Sequence, residues 1–565
     1  HMFRVTAGLP SSAQPYGGWE KPDVELRGHT IGHYLSACAL MYASTGDARL
    51  KSRADAIVGE LAKCQKALGA SGYLSAFPET FFDRVESARA VWAPYYTIHK
   101  IMAGLVDAAE YCGNTQALEV VEGMARWVKS RTDKSDPIHM ERVLNFTEQG
   151  GMNEVLTNLY AITGKPEYLQ TARRFDERHY TVPLAKAEDK LKGEHVNSCI
   201  PNVIGAAREY EMTGDSTQRG IASFFWNEVT GARSFVTGGT SDNEAWESDP
   251  YKISEELGAD AHESCCTYNM LKLTRHLFSW EGAAKYADFY ERALWNGILP
   301  TQNPDDGMMM YYVPMKSGMF KTFMSPDDSF WCCTGTGMEN HAKYGDSIYF
   351  HDGGGLFVNL FIASELDWTE KGVRVRQETR FPEESKTTLV ITAAQPTELA
   401  LHIRIPAWIA DGGGVSINGR RLEAFASPSS YLTVRRTWRS GDKVEVALPM
   451  KLRLERVPDD PSIVAVLYGP IVLAGKLGGA DTLTKDKVFG KYGPEGEPAA
   501  VPKLAVKDQD PASWIKPVAG KPLTFVTEGV GTPNDITLIP FYRLFGERYA
   551  IYWQTEKTGL ERRRG

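Results

Sequence analysis

Two pairs of adjacent cysteines and a nearby glutamate are the residues best suited to chemistry. They stand in Glu263-Ser-Cys265-Cys266 and in Cys332-Cys333. Thiolates are soft ligands suited to Zn²⁺, and a carboxylate can complete a tetrahedral shell. A disulfide between the two pairs, or buried free thiols, would also explain them, although adjacent cysteines rarely bond to each other. The spacing is not that of a zinc finger, so the residues alone give a metal-site hypothesis.

A glutamate after a glycine-rich loop is the candidate proton donor. Glu244 follows Thr237-Gly-Gly-Thr-Ser-Asp-Asn and precedes Ala245-Trp246. A carboxyl group against an apolar neighbour has a raised pKa, as a general acid requires. The alternative is an ordinary solvated loop carboxylate. Three nearby carboxylates compete for the same role: Asp242, Glu247 and Asp249.

Four histidines stand in distinctive phrases. His29 and His33 are four residues apart, so in a helix they share one face. They could bind a metal as a pair, but no glutamate-containing zincin pattern accompanies them. Contact with hydroxyl groups or helix packing is favoured. His99 and His195 are expected at helix ends or at positions facing the interior.

The segment from about 25 to 300 has the apolar periodicity of helices. Five helices are predicted to end at glycines 67, 51, 50 and 68 residues apart, in left-handed capping positions: Gly46, Gly113, Gly164, Gly214 and Gly282. This spacing is about the length of a helical hairpin. Repeated hairpins can close into a ring, so we predict an (α/α)₆ barrel over residues 1–345. An open helical solenoid is the alternative.

The pattern changes near residue 346 to short alternating segments separated by Gly-, Pro- and Asp-rich turns. These predict a β-sandwich over residues 346–475. Residues 476–512 have the composition of a linker or long loop, and a last β segment follows. We therefore expect 476–565 to complete the sandwich or to add a second one. The predicted protein is a multidomain α + β chain with a helical (α/α)₆ domain followed by β-sandwich domains.

Charge and composition exclude some partners. The 565 residues carry a net charge of −8, which argues against a nucleic-acid-binding protein. No apolar run approaches the roughly 20 residues of a membrane helix, so no membrane insertion is expected. The initial His1-Met2 has the form of an expression-tag scar, before which a secretion signal could have been trimmed. We expect a periplasmic or extracellular protein, with a cytoplasmic location as the alternative.

Taken together, the phrases of this chain resemble glycoside hydrolase family 127 and its sibling family 146, the β-L-arabinofuranosidases. The resemblance spans nearly the whole chain and is closer to family 146. The matching phrases are Arg27-Gly-His-Thr-Ile-Gly-His-Tyr-Leu-Ser, Trp92-Ala-Pro-Tyr-Tyr-Thr-Ile-His-Lys, Gly151-Met-Asn-Glu-Val-Leu, Glu263-Ser-Cys-Cys-Thr-Tyr-Asn-Met-Leu-Lys, Tyr311-Tyr-Val-Pro, Trp331-Cys-Cys-Thr-Gly-Thr-Gly, Pro540-Phe-Tyr-Arg and Tyr549-Ala-Ile-Tyr-Trp.

The resemblance implies a Zn²⁺ ion held by one Glu and three Cys, in an (α/α)₆ barrel with β-sandwich domains. By motif, the ligands would be Glu263, Cys265, Cys332 and Cys333. Cys266 departs from the family pattern, in which an Asn is usual at that position. The Glu-x-Cys spacing assigns the ligand role to Cys265 rather than to Cys266.

The resemblance also implies the catalytic roles. Cys332 matches the family's nucleophile and Glu244 its acid/base. A retaining glycosidase needs a nucleophile and an acid/base on opposite sides of the anomeric carbon. Zn²⁺ would keep the thiol deprotonated. The residues expected to bind substrate are His29, His33, His99, His195 and Tyr312.

The implied function is release of L-arabinose from β-L-arabinofuranosides of plant cell-wall glycans, with an arabinose-containing oligosaccharide or glycan as partner. One alternative is hydrolysis of another uncommon pectic sugar. A second is a non-catalytic carbohydrate-binding or structural protein with a zinc site, which predicts closed coordination and no acid/base. A third is an (α/α)₆ lyase with a Tyr or His base, in which the paired cysteines would have no role.

Overall fold

The chain begins with a helix-rich domain and continues into β-sheet domains, as the sequence predicts. The computed structural model describes residues 1–147, 150–506 and 510–555. Within these ranges every helix is too short or too polar to cross a bilayer. The helices of the first domain are α1 (Met2–Thr6), α2 (His29–Thr45), α3 (Ala48–Leu68), α4 (Thr80–Glu86), α5 (Pro94–Cys112), α6 (Thr115–Thr132), α7 (Pro137–Thr147), α8 (Met152–Thr163), α9 (Pro166–Ala172), α10 (Arg178–Ala185), α11 (Val196–Thr213), α12 (Ser216–Ala232), α13 (Ser264–Glu281), α14 (Ala284–Ala293) and α15 (Cys332–Ala342).

Six helices of this domain contact one another in a closed sequence. α2 packs against α5, α5 against α8, α8 against α11, α11 against α13, α13 against α15, and α15 against α2 again. α3, α6, α9, α12 and α14 pack on the members of this ring. The five predicted terminal glycines all occupy left-handed capping positions, with φ between 60° and 72°. The sequence signal for helix ends is therefore confirmed at each of them.

α2 and α5 approach more closely than side chains would allow. A Cβ at Gly32 would lie 1.8 Å from the carbonyl oxygen of Lys100, and one at Gly104 would lie 2.3 Å from that of Gly32. Two glycines thus permit the contact between the helix that carries His29 and His33 and the helix that carries His99.

Two sheets share one apolar core in the middle of the chain. One has the order β1-β2-β6-β9 and the other β3-β4-β5-β10-β7-β8. Alternating residues of both sheets fill a common cluster that includes Leu401, Leu389 and Val444, which is the arrangement of a β-sandwich. The strands are β1 (Tyr349–His351), β2 (Gly355–Val358), β3 (Ser364–Trp368), β4 (Val373–Thr379), β5 (Lys386–Ala393), β6 (Thr397–Ile405), β7 (Gly414–Ile417), β8 (Arg420–Arg421), β9 (Ser430–Trp438) and β10 (Lys443–Ala447).

A third sheet, of eight strands, ends the described chain. β11, β12 and β13 pair with the last strands of the chain, so this sheet begins at Leu452. The boundary predicted from the sequence lay at 475. The elements are β11 (Leu452–Arg456), β12 (Ile463–Tyr468), β13 (Ile471–Gly478), α16 (Lys485–Val488), β14 (Lys503–Leu504), β15 (Ile515–Pro517), β16 (Phe525–Thr527), β17 (Gly531–Thr532), β18 (Thr537–Pro540), β19 (Arg548–Ala550) and β20 (Tyr552–Gln554), with β14 and β17 forming a separate pair.

A buried ionic cluster joins the helical domain to the middle sheets. Arg404 of β6 is fully buried and pairs with Asp288 at 2.5 Å and with Glu291 at 2.6 Å, both on α14. Trp408 donates its indole N–H to Glu291 at 2.7 Å. A buried guanidinium needs such partners, because an unpaired buried charge is strongly destabilising.

Candidate active site

The four predicted metal ligands meet in one buried cluster. Their donor atoms all lie within 4.8 Å of one another. Glu263 precedes α13, Cys265 lies in the first turn of that helix, and Cys332 and Cys333 begin α15. Helix N-termini carry partial positive charge, which favours a thiolate. The two helices therefore present all three thiols at helix N-termini.

The protonation of the cluster depends on its internal hydrogen bonds. Burial raises the pKa of Cys332, but hydrogen bonds with Cys265, Cys333 and Tyr311 outweigh burial and bring its pKa well below the ordinary value. Burial raises the pKa of Cys265 well above its ordinary value. The hydrogen bond with Cys332 and the charge of Cys332 raise it further. Burial and the charge of Cys332 likewise raise the pKa of Glu263. Cys332 is thus the thiol of the cluster best able to carry a negative charge.

The donor distances fit a tetrahedral metal ion. Bonds of about 2.3 Å to sulfur and about 2.0 Å to oxygen place tetrahedral ligands about 3.8 Å (S to S) and about 3.5 Å (O to S) apart. The Cys332 and Cys333 sulfurs are 3.8 Å apart, and Glu263 Oε1 lies 3.8 Å and 3.7 Å from them. The Cys265–Cys333 separation, 2.9 Å, is shorter and would have to lengthen around a bound ion.

The charges of the cluster also call for a cation. Among the described residues, the groups that hydrogen-bond to these four side chains are thiols and hydroxyls rather than Lys or Arg. The cysteines all lie within the described ranges and are free thiols, so a disulfide between the pairs is not formed. Cys266 lies outside the four donors, and its thiol donates to Glu263 at 3.2 Å.

The hydroxyl of Tyr311 links Glu244 to the cysteine cluster. The Tyr311 hydroxyl donates to Glu244 Oε1 and also lies 3.4 Å from the Cys332 sulfur. Glu244 Oε2 lies 3.6 Å from Nε2 of His195, and both of these side chains are partly open to solvent. The Glu244 carbonyl accepts from the backbone N–H of Val196, the first residue of α11, at 2.8 Å. A carboxyl group thus stands beside the thiol at the mouth of the site.

The three competing carboxylates of the same loop point elsewhere. Asp242 lies against Gly258, where a Cβ would be 2.1 Å from its Oδ1; burial and Glu256 raise its pKa to about 6. Asp249 pairs with Lys192 at 3.1 Å. Glu247 is exposed. Trp246, the neighbour expected to tune Glu244, packs into the helical core and donates to Thr240 at 2.8 Å.

His29 and His33 both lie in α2, on one face, as the four-residue spacing predicts. Their rings are 5.9 Å apart and fully buried. Nε2 of His29 contacts the carbonyl of Phe330 at 2.9 Å, and Nδ1 of His33 contacts Glu339 at 2.6 Å. Burial lowers the pKa of His29 to about 4 and lowers that of His33. They lie beside the cluster rather than in it, as neutral imidazoles.

His99 and Tyr312 complete the set of predicted substrate-binding residues. His99 is buried in α5 against Gly151, where a Cβ would lie 2.5 Å from the ring. Burial holds its pKa well below the ordinary value. Tyr312 packs with the cysteines in one apolar cluster and pairs with Glu263 through the backbone. Of the predicted site residues, the structure gathers the four metal ligands, Tyr312 and Glu244, with His195 beside Glu244. The substrate-binding roles stay predictions.

The chain is held in unfavourable backbone conformations next to the site. Glu244 has φ 67°, His262 has φ 55° and Phe330 has φ 46°. Non-glycine residues with positive φ cost on the order of 1–3 kcal/mol each and persist where the surroundings impose them. The three positions stand at the proposed acid, one residue before Glu263, and two residues before Cys332.

Sequence reasoning missed two aromatic residues of the site. Tyr311, rather than Tyr312, carries the hydroxyl that contacts both Glu244 and Cys332. Tyr492, from the segment predicted as a linker, stacks on Trp331 with ring centroids 3.8 Å apart. The Tyr311-Tyr312 pair could have indicated the first. Adjacent side chains of an extended chain face opposite sides, so either tyrosine could have been the one that reaches Glu244 and Cys332. Nothing local in the sequence marks the second.

Three family models cover most of the chain. The model for the β-L-arabinofuranosidase GH127 catalytic domain matches residues 1–346, and that for the GH127 middle domain matches residues 355–450. A domain of unknown function matches residues 453–555. The first match alone spans more than half of the chain. The predicted closer relation to family 146 stays a prediction.

Similar proteins agree with these matches. A non-reducing end β-L-arabinofuranosidase of Bifidobacterium longum subsp. longum is 23% identical over 498 residues, covering 78% of this chain and 74% of that protein. The crystal structure of a GH127 β-L-arabinofuranosidase from Geobacillus stearothermophilus T6 shares the fold with a TM-score of 0.74 at 20% identity, over 98% of this chain and 93% of that one. A second GH127 β-arabinofuranosidase structure gives 0.72 at 21% identity, over 98% and 91%. The chain belongs to glycoside hydrolase family 127, the β-L-arabinofuranosidases, and is a glycoside hydrolase.

Proposed function

We propose that this enzyme releases L-arabinose from β-L-arabinofuranosides of plant cell-wall glycans with retention of configuration. Cys332 is the nucleophile and Glu244 is the acid/base. The observation that carries the proposal is the Tyr311 hydroxyl, which contacts both residues. Family membership supports the sugar, and the geometry of this chain supports the roles.

The separation of the two groups favours a retaining enzyme. Because they share one hydroxyl partner, the Cys332 sulfur and the Glu244 carboxylate are at most about 6 Å apart. Retaining glycosidases place their two groups about 5–5.5 Å apart, whereas inverting enzymes leave about 6.5–9.5 Å for a water molecule. A separation of this size is closer to the retaining arrangement than to the inverting one.

In the first step the Cys332 thiolate attacks the anomeric carbon. A carbon–sulfur bond forms while the bond to the leaving oxygen breaks, and Glu244 gives its proton to that oxygen. In the second step Glu244, now a carboxylate, takes a proton from water. The water oxygen attacks the anomeric carbon, the carbon–sulfur bond breaks, and the Cys332 thiolate is restored. Arabinose leaves with its original anomeric configuration.

The donor set fits Zn²⁺, with Glu263, Cys265, Cys332 and Cys333 as the residues that would hold it. When bound, Zn²⁺ supplies positive charge that keeps the thiols deprotonated at neutral pH. Tyr311 then orients the Glu244 carboxyl toward the leaving group. The buried neutral histidines His29, His33 and His99, with His195 and Tyr312, suit the uncharged hydroxyl groups of a pentose.

The ring of six helices and the helices packed on it support an (α/α)₆ barrel, with the site at one end. The half-exposed His195 and Glu244 leave that end open to a sugar chain. A polymeric glycan is met outside the cytoplasm, so we place the enzyme in the periplasm or outside the cell.

The function is tested with a panel of methyl and aryl α- and β-furanosides and pyranosides of arabinose and other pectic sugars. We expect hydrolysis of the β-L-arabinofuranosides, with β-L-arabinofuranose seen first by NMR. Metal analysis of the same sample should find one zinc per chain. Initial release of the α-anomer would refute retention, and cleavage of another sugar alone would refute the substrate.

The nucleophile is tested with a β-L-arabinofuranose analogue that has an electrophilic anomeric carbon. Peptide mapping should place the adduct on Cys332. Cys332→Ser should abolish labelling, because a serine hydroxyl is a far weaker nucleophile near pH 7. Cys64→Ser changes a buried thiol that packs in a different apolar cluster and serves as the matched control. An adduct on Cys333 or on Glu263 would refute the role given to Cys332.

A further inference from the structure

One segment of the C-terminal domain, residues 485–499, packs on the helical domain. The backbone N–H of Phe323 donates to the carbonyl of Val488 at 2.7 Å, and that of Gly490 donates to the carbonyl of Phe323 at 2.8 Å. The N–H of Ala499 donates to the carbonyl of Gly318 at 3.0 Å. Residues 318–323 lead directly to the cysteine pair. The segment is therefore fixed by main-chain hydrogen bonds next to the catalytic residues.

The approach is closest at Gly493. A Cβ there would lie 2.2 Å from Oδ1 of Asp260 and 3.5 Å from the ring of Tyr312. A side chain at this position would push the segment away from the site. The glycine thus lets Tyr492, its neighbour, enter the site.

Tyr492 forms part of the wall of the site. Its ring stacks on Trp331 at 3.8 Å with an angle of 21° and meets Tyr311 edge-on at 4.9 Å. Its carbonyl accepts from the N–H of Tyr312 at 3.2 Å. Tyr492 is nevertheless 42% exposed. It presents an aromatic surface to solvent, one ring away from the hydroxyl that contacts both Glu244 and Cys332.

Two tryptophans extend this surface. Trp92 is 46% exposed, and its ring meets that of Trp19 edge-on at 5.0 Å. The Trp19 side chain interacts with that of Tyr492 and lies edge-on to His29 at 5.9 Å. We call Trp19, Trp92 and Tyr492 the aromatic rim. Large exposed aromatic groups that lie together mark binding surfaces, because they offer apolar area at low entropic cost.

The position of the rim identifies its ligand. A general acid stands on the side from which the leaving group departs, so the remainder of the glycan must extend past Glu244 toward solvent. Tyr492 of the rim packs on Tyr311, whose hydroxyl donates to Glu244, and the apolar faces of sugar rings pack against aromatic rings. We propose that the aromatic rim binds the sugar residue on the leaving-group side of the scissile bond. The C-terminal domain, through Tyr492, thereby helps to select glycan substrates. This inference rests on the proposed function.

The test compares two substrates that share the arabinofuranosyl group. One is methyl β-L-arabinofuranoside, whose leaving group is too small to reach the rim, and the other is a β-L-arabinofuranosyl oligosaccharide. We expect the ratio of kcat/KM for the oligosaccharide to that for the methyl glycoside to fall roughly ten-fold in Tyr492→Ala and in Trp92→Ala. Tyr492→Phe should retain the wild-type ratio, because it keeps the ring.

Phe425→Ala is the matched control, since Phe425 is an exposed aromatic residue of the middle domain. It should change neither the rates nor the ratio. Tyr492→Leu keeps an apolar side chain over Trp331 and so controls for a rearrangement of the site caused by lost packing. Because it lacks the aromatic ring, it should lower the ratio as Tyr492→Ala does. An unchanged ratio in both alanine variants overturns the inference. Failure of the wild type to hydrolyse either substrate would instead overturn the proposed function.

Discussion

The hydroxyl of Tyr311 offers the sharpest test of the catalytic arrangement. In Tyr311→Phe the ring keeps its packing against Tyr312, Trp331 and Tyr492, while the contacts with Glu244 and Cys332 are lost. A hydrogen bond to a charged group contributes about 1.5–3 kcal/mol. If that contribution is made in the transition state, kcat/KM falls about 10- to 150-fold.

The assay measures kcat and KM on methyl β-L-arabinofuranoside, together with zinc content and the thermal midpoint. The loss should appear in kcat, with zinc content unchanged. Tyr73→Phe is the control, because Tyr73 is buried and donates to the carbonyl of Phe77 at 2.6 Å, remote from the site. It should lower the thermal midpoint without changing kcat. A Tyr311→Phe enzyme within about two-fold of wild type, below the smallest effect of a charged hydrogen bond, would refute the reasoning.

Four further outcomes follow from contacts described above. Glu244→Gln should slow substrates with poor leaving groups roughly 10²- to 10⁴-fold, and activated aryl glycosides far less, in steady-state kinetics. Arg404→Met should cost about 3–5 kcal/mol, because it removes the cation that pairs with the buried Glu291 and the partly buried Asp288, and calorimetry should show a lower thermal midpoint. Burial, with the charges of Glu194 and Asp176, raises the pKa of Glu177 to about 8. The contribution of the protonated Glu177 side chain to the free energy of unfolding is therefore complete below about pH 4 and is lost as pH rises through 8. Glu177→Gln should consequently raise the thermal midpoint at pH 9 and leave it similar at pH 4. Dialysis against a zinc chelator should lower the thermal midpoint and abolish activity, and added Zn²⁺ should restore both.

Local signals predicted the elements well. The glycines that end α2, α5, α8, α11 and α13 were readable because a left-handed cap is a property of the residue itself. Alternating segments such as Val373-Arg-Val-Arg became strands because one face is buried and the other is not. The clustering of Glu263 with three cysteines followed from the residue types and the family phrases.

Contacts between distant segments could not be read in this way. Strand β11 pairs with β12 and so belongs to the C-terminal sheet. This membership depends on the strands that pair with β11 and is not visible in its own residues. Tyr492 enters the site because residues 485–499 pair with residues 318–323, and a composition rich in Gly, Pro and Lys gave no sign of it. The local residues of the 242–249 loop did not rank its four carboxylates, and only the family resemblance favoured Glu244. The structure sets Glu244 apart by its contacts with Tyr311 and His195.

The return of α15 to α2 has a consequence for biosynthesis. Nearly 300 residues separate the two helices, so α2 leaves the ribosome long before its neighbour exists. During that interval the side of α2 that α15 will cover stays uncovered, and slow long-range closure of this kind exposes a nascent chain to aggregation. Because α15 also carries Cys332 and Cys333, the four donor residues of the proposed zinc site come together only when α15 packs against the ring. The proposed zinc ion would therefore find its full set of ligands only in a molecule whose helical ring has closed.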